Sequence, residues 1–375
     1  MLGGRLGRGI IGAIAAVAVA AIAPASASAI SYAPVDQPGP PLSVPQAQLD
    51  GSLLCTGNVT NAPRAPVLLV PGTGGDPAQN YAWSWEPALN DLGIPWCALT
   101  LPDHTQGDIQ IAGEYVVNAI RTMYVRAGRR ISIIGHSQGG MLPRWAFRFW
   151  PDTRSMVDDD IGFAASNHGT SAAGPACALG CSPADWQQSD KAEFIKALNS
   201  YQETFPGISY TEVYTHTDEV VTPNSDDTGS SSVHGGGGEI TNVAIQQVCP
   251  LDLSEHLALG TQDNTAYALA IDALSHPGPA IPSNVSQSVC TDLLMPGIDK
   301  TTYAADAASA ALGFAQNVAG APQVTAEPPL RCYVTASCPA SGQVAAKRAK
   351  CKRHKRIPSA QVSKRHRCRK HRNRG

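Results

Sequence analysis

Ile131-Ser-Ile-Ile-Gly-His-Ser-Gln-Gly-Gly140 is the stretch from which the fold is read. Its first four residues, three of them isoleucine, predict a buried strand, and the apolar spacing that continues to Trp150 predicts a helix. Between them, Gly135-His136-Ser137-Gln138-Gly139 sets G-x-S-x-G in the strand–turn–helix context of a nucleophile elbow. So sharp a turn forces a strained backbone on Ser137. The glycines two residues to either side remove the Cβ atoms that would collide where strand and helix meet. A glycine-rich turn with an incidental serine has the same five residues, but not the same flanks.

Strand and helix signals alternate on both sides of this element. Pro66–Pro71 reads as a strand that opens into Gly72-Thr73-Gly74-Gly75, Trp85–Leu92 as a helix and Pro95–Thr100 as a strand. Ile109–Tyr124 has helical apolar spacing. Asp160–Ala165, Thr211–Thr215 and Asn242–Gln246 read as further strands, and Thr301–Val318 as an alanine-rich helix with no evident function. Such alternation predicts right-handed crossovers and a mostly parallel α/β sheet with helices on both faces, its chemistry outside the carboxyl ends of the strands. Residues 30–54 read as an irregular arm. The small, apolar start of the Gly169–Asp190 segment fits either a lid or acyl-contact stretch or plain surface packing.

Composition divides the chain. Residues 1–29 place Arg5 and Arg8 before an apolar run and end in small residues, a secretory signal peptide. Residues 341–375 hold fourteen of the 28 Lys and Arg and no Asp or Glu. With two more in the leader, twelve basic residues face all 30 acids in the remainder, whose net charge is near −18. Residues 30–340 are thus expected to form one catalytic domain, followed by a basic tail with too little apolar content to fold. That tail suits either a solubilising extension or an arm for anionic cell-surface polymers. Ten cysteines fit an oxidising, extracellular destination. Proximity suggests Cys55–Cys97, Cys177–Cys181, Cys249–Cys290, Cys332–Cys338 and Cys351–Cys368, and none shows a zinc-site spacing.

A serine hydroxyl needs a base, and the base an orienting carboxylate, in the chain order Ser, acid, His. Asp218, in the turn after Thr211–Thr215, is the expected acid. Neighbouring Glu219 would point elsewhere, and Asp226 and Asp227 lie in a polar loop. Among the later histidines, His234 abuts four glycines and His276 precedes Pro277 in a surface turn. His256 opens an apolar segment that could clamp it, and is the expected base. His136 cannot fold back onto its neighbour and is expected in the site wall. The oxyanion requires preorganised donors. The Gln138 backbone N–H is one, the Gly72–Gly74 loop supplies a second, and the Thr73 hydroxyl could be a third.

Leu68-Leu-Val-Pro-Gly-Thr-Gly74, Glu114-Tyr-Val-Val-Asn-Ala-Ile120, Ser137-Gln-Gly-Gly140, Ala173-Gly-Pro175, Trp186-Gln-Gln188, Thr217-Asp-Glu-Val220 and Glu255-His256 together resemble the Candida antarctica lipase B family. The likeness runs from about Cys55 to Cys338. It implies an α/β-hydrolase fold, no cofactor or metal, and hydrolysis of carboxylic esters and triacylglycerols at a lipid–water interface. It also implies a triad of Ser137, Asp218 and His256 with an oxyanion hole of Thr73 and Gln138. The chain departs from that lipase at His136, where it has tryptophan, and at Ser166, where it has aspartate. A secreted monomer without nucleic-acid partners is the resulting expectation. An acyltransferase on the same scaffold and a non-catalytic wall-binding protein are the alternatives.

Overall fold

The computed structural model describes residues 30–338. The expected signal peptide, the basic tail and the proposed Cys351–Cys368 pairing lie outside the described residues. Seven strands form one sheet: β1 (Leu53–Cys55), β2 (Val67–Val70), β3 (Trp96–Leu99), β4 (Ile131–His136), β5 (Val157–Phe163), β6 (Ser209–Tyr214) and β7 (Glu239–Ala244). Their spatial order is β1-β3-β2-β4-β5-β6-β7. Only β1 runs antiparallel, against β3; the other pairings are parallel. Every residue of β2, β3 and β4 is buried, as a parallel sheet covered on both faces requires.

Each face carries its own apolar core. On one, the elbow helix Gln138–Phe149 and the crossover helix Ile109–Ala127 pack together, and Trp145 stacks on Phe194 with ring centroids 4.2 Å apart. On the other, Trp85 stacks on Phe163 at 5.3 Å. The crossover helix starts where the Asp108 side chain accepts the Gln110 N–H, and stops at Gly128, whose φ of 67° glycine adopts without strain.

Three elements differ from expectation. The arm before residue 55 is ordered: it forms the helix Gln46–Gly51 and strand β1, and is anchored by buried Glu114. That carboxylate accepts the Ser43 hydroxyl at 2.6 Å and the Val44 N–H at 3.0 Å. Strand β5 begins three residues earlier than the apolar run suggested, because Val157 pairs with Ile131. It ends at Phe163, since Ala164 turns to a φ of 47°. Strand β7 ends at Ala244, after which Ile245–Val248 is a helical turn.

Four of the five proposed cysteine pairs are disulfides: Cys55–Cys97, Cys177–Cys181, Cys249–Cys290 and Cys332–Cys338. The first and third close loops of sequence separation 42 and 41, worth about 4 kcal/mol each in a chain-entropy account. Cys177–Cys181 spans only 4 residues, so its effect is to shape a local loop. Among the described residues, no helix is long and apolar enough to cross a membrane.

Candidate active site

Ser137 sits at φ 56°, ψ −123° between β4 and the elbow helix, a strained conformation for a residue with a Cβ. Two glycines permit it. A Cβ on Gly135 would lie 2.1 Å from the Gly139 carbonyl oxygen, and one on Gly139 would lie 2.0 Å from that of Val70. The Ser137 N–H donates to Phe163 O at 2.8 Å, fixing the bend to β5. The hydroxyl is held at the N-terminus of a twelve-residue helix, its positive end.

Asp218 and His256 meet although 38 residues apart. His256 Nδ1 lies 3.0 and 3.1 Å from the two Asp218 oxygens. A carboxylate only accepts, so Nδ1 carries the proton and Nε2 is left free to take another. Asp218 Oδ1 also accepts the N–H groups of Val220 and Val221 at 3.0 and 2.8 Å. Asn224 Nδ2 donates to Oδ2 at 3.3 Å. The acid's side chain is fully buried and fixed from several directions. Ser137 and His256 open onto one cavity of about 440 Å³. No hydrogen bond joins their side chains among the described residues; in free enzymes such contacts are often long and tighten with substrate.

His136 does more than line the wall. Its Nε2 lies 3.0 Å from the His256 carbonyl oxygen and its Nδ1 2.8 Å from Asn80 Nδ2. The carbonyl can only accept, so Nε2–H donates to it and Nδ1 accepts from the amide. Burial, and next the neighbouring His256, push the His136 imidazole down to about 3, so it is a neutral strut under the His256 backbone. Glu219 departs from expectation in a similar way. It turns back to the site, lines the cavity, and its Oε2 accepts the His256 N–H at 3.3 Å. Its place beside Asp218 hid this, because the turn closed by the Val220 and Val221 N–H groups on Asp218 Oδ1 decides where it points. His234 and His276 are engaged elsewhere, with Asp227 O at 2.8 Å and Asp272 Oδ2 at 2.9 Å. Asp226 and Asp227 are exposed.

Thr73 and Gln138 face each other across the elbow. Gly72, Gly74, Gly75 and Gly140 each donate their N–H to a carbonyl or amide oxygen. Among the described residues the Thr73 and Gln138 N–H groups donate to nothing. Two free donors close to a serine hydroxyl are what a developing oxyanion needs.

The Gly169–Asp190 segment contributes Thr170, Ala173, Ala176 and Gln188 to the cavity, so it is site wall rather than surface packing. The alanine-rich helix is the element sequence reasoning passed over. It spans Tyr303–Ala319, puts Phe314 into the cavity, and lies against the Gly72–Gly75 loop, where Asn317 Nδ2 donates to Gly74 O at 2.9 Å. The lone aromatic in its latter half was the available signal. Among the described residues no group of three or more His, Cys, Asp or Glu is placed to hold a metal ion.

No protein-family model matches the chain. Lipase B of Pseudozyma antarctica is 33% identical over 298 residues, which cover 78% of this chain and 86% of that one. The crystal structure of Aspergillus fumigatus lipase B superposes with a TM-score of 0.71 at 28% identity, covering 79% of this chain and 74% of that one.

Proposed function

The chain belongs to the lipase B family of α/β-hydrolases and is a carboxylic ester hydrolase, and from that premise we propose that it is a secreted triacylglycerol lipase or carboxylesterase working through an acyl-enzyme on Ser137. Ser137 Oγ attacks the ester carbonyl while His256 Nε2 takes its proton. Asp218 holds the imidazole in the required tautomer and balances the imidazolium that forms. The oxyanion is held by the Thr73 and Gln138 N–H groups and by the Thr73 hydroxyl. His256 then returns the proton to the departing alcohol, and water, activated by the same imidazole, releases the acid.

The observation that carries this reading is the His256–Asp218 pair at 3.0 Å opening onto the cavity that holds the elbow serine. Four disulfides and the leader-like first 29 residues support export. Residues 30–340 are the catalytic domain, which acts as a monomer at the lipid–water interface and needs neither cofactor nor nucleic acid. The basic tail retains it at anionic cell-surface polymers. A p-nitrophenyl ester series from about C2 to C16, on the wild type and Ser137→Ala, tests the chemistry. Turnover and fluorophosphonate labelling should both vanish in the variant; an active Ser137→Ala protein overturns the assignment. A chain ending at Gly342 that divides between cells and medium as the full chain does would remove the role given to the tail.

A further inference from the structure

Behind the oxyanion loop lies a closed set of neutral groups. Thr73 Oγ1 donates its single proton to Gln138 Oε1 at 2.8 Å and accepts from Gln188 Nε2 at 2.8 Å. Gln188 Nε2 is also 3.2 Å from Gln138 Oε1 and 3.3 Å from Ala184 O. Gln188 Oε1 accepts the Ser166 hydroxyl at 2.8 Å. Ser166 and Gln138 are fully buried and Gln188 nearly so. One group is left over: Gln138 Nε2 is buried and has no partner, which for a donor is costly.

This arrangement parks the Thr73 proton. A hydroxyl has one hydrogen, and while it points at Gln138 Oε1 it cannot also serve an oxyanion in the cavity. Turning the Gln138 amide by half a rotation exchanges its oxygen and nitrogen. Nε2 then donates to Thr73 Oγ1, while Oε1 takes the partnerless place and its 3.2 Å contact with Gln188 Nε2 is given up. Gln188 Nε2 still donates there too, so both hydroxyl lone pairs are filled and the proton has only the cavity left to face. Ser166 makes this work. Its O–H on Gln188 Oε1 keeps the Gln188 nitrogen towards Thr73, so Gln188 cannot capture the proton itself.

We propose that the Gln138 side-chain amide is a toggle for the hydroxyl donor of the oxyanion hole, and that Ser166, acting through Gln188, is the positioning residue that holds the toggle's counterpart in place. The inference deepens the proposed function and rests on Thr73 being an oxyanion donor.

Substitutions at position 138 keep the backbone N–H, so they isolate the side chain. Glutamate offers acceptor oxygens only and parks the proton permanently; methionine can neither hold nor orient it. Gln138→Glu should fall about 10²-fold below Gln138→Met in kcat, with similar KM, and that gap should close in a Thr73→Val background, where a purely electrostatic effect of the carboxylate would persist. Ser166→Ala frees Gln188 to turn its oxygen towards Thr73 and should lower kcat several-fold with KM unchanged. That loss should disappear in a Thr73→Val background. Equal kcat for the two Gln138 variants, or a Gln138→Glu or Ser166→Ala loss that persists without the Thr73 hydroxyl, overturns the toggle. If Thr73→Val alone leaves kcat at the wild-type value, the hydroxyl's place in the oxyanion hole fails and the toggle falls with it. The Ser137→Ala test separates that outcome from failure of the hydrolase reading as a whole.

Discussion

Replacing Asp160 by asparagine should make the fold far less sensitive to alkaline pH. Asp160 and Glu212 project from adjacent strands on one sheet face, diagonal across the register that pairs Gly162 with Glu212. A Cβ on Gly162 would lie 2.2 Å from Glu212 Oε2, so the glycine makes room for that carboxyl. Both acids are buried, and none of their four oxygens has a hydrogen-bond partner among the described residues. Burial pushes Asp160 up to about 8, against a smaller opposing pull from Arg144. Burial, then the neighbouring Asp160, hold Glu212 well above the usual carboxylate range. A carboxyl with a raised folded-state pKa favours folding below about pH 4, and that contribution is lost as pH rises towards the folded value. From 3.8 unfolded to about 8 folded, Asp160 alone should remove about 4 kcal/mol between roughly pH 5 and 9. Asparagine has nearly the same shape and does not titrate. Urea unfolding of wild type and Asp160→Asn at the two pH values checks this, since the gap between the curves should widen by that amount in the variant's favour. Parallel stabilities at both pH values would refute the reasoning.

His136→Phe should act in the opposite pH range. The folded-state value of about 3, set by burial, means the wild type loses stability as pH falls from about 6.5 towards 3, so the variant's deficit in urea midpoint should shrink from pH 7 to pH 4. It should also lower kcat, because His256 O and Asn80 lose their partner at about 1–3 kcal/mol each. Gly139→Ala places a Cβ 2.0 Å from Val70 O, which is backbone and cannot yield; circular dichroism should show a protein that does not reach the native fold. Phe314→Ala removes a ring from the cavity wall and should raise kcat/KM for long p-nitrophenyl esters relative to short ones. An unchanged ratio would place the acyl chain elsewhere.

What could be read beforehand followed from how local the physics is. The elbow is fixed by five consecutive residues, and its strand and helix announce themselves by spacing, so Ser137 was legible outright. Asp218 and His256 were reached through chain order and the loss of rivals, and the structure brings them together. The role of His136 was not legible, because its partners Asn80 and His256 are 56 and 120 residues away. Glu219 was misplaced because only the turn after Asp218 decides where it points. The alanine-rich helix gave its amphipathic face but not what it would lie on. The arm looked irregular because its order comes from Glu114, outside it in sequence.

The distribution of charge connects these features. Residues 30–340 carry a net charge near −18, yet the groups around the proposed oxyanion hole, Thr73, Gln138, Ser166 and Gln188, are neutral, and burial keeps His136 neutral as well. An anionic side chain at any of these positions would oppose the negative charge that develops on the substrate oxygen, in a setting where low permittivity magnifies such effects. In the proposed mechanism the one negative group used, Asp218, is placed behind the imidazole, where it would balance the cation formed there, and two backbone N–H groups fix it. Asp185 and Glu219 stand at the cavity wall with solvent access, where water screens them. With a neutral Ser166 behind the proposed oxyanion hole, hydrogen-bond direction, rather than net charge, is the variable on which the proposed toggle acts.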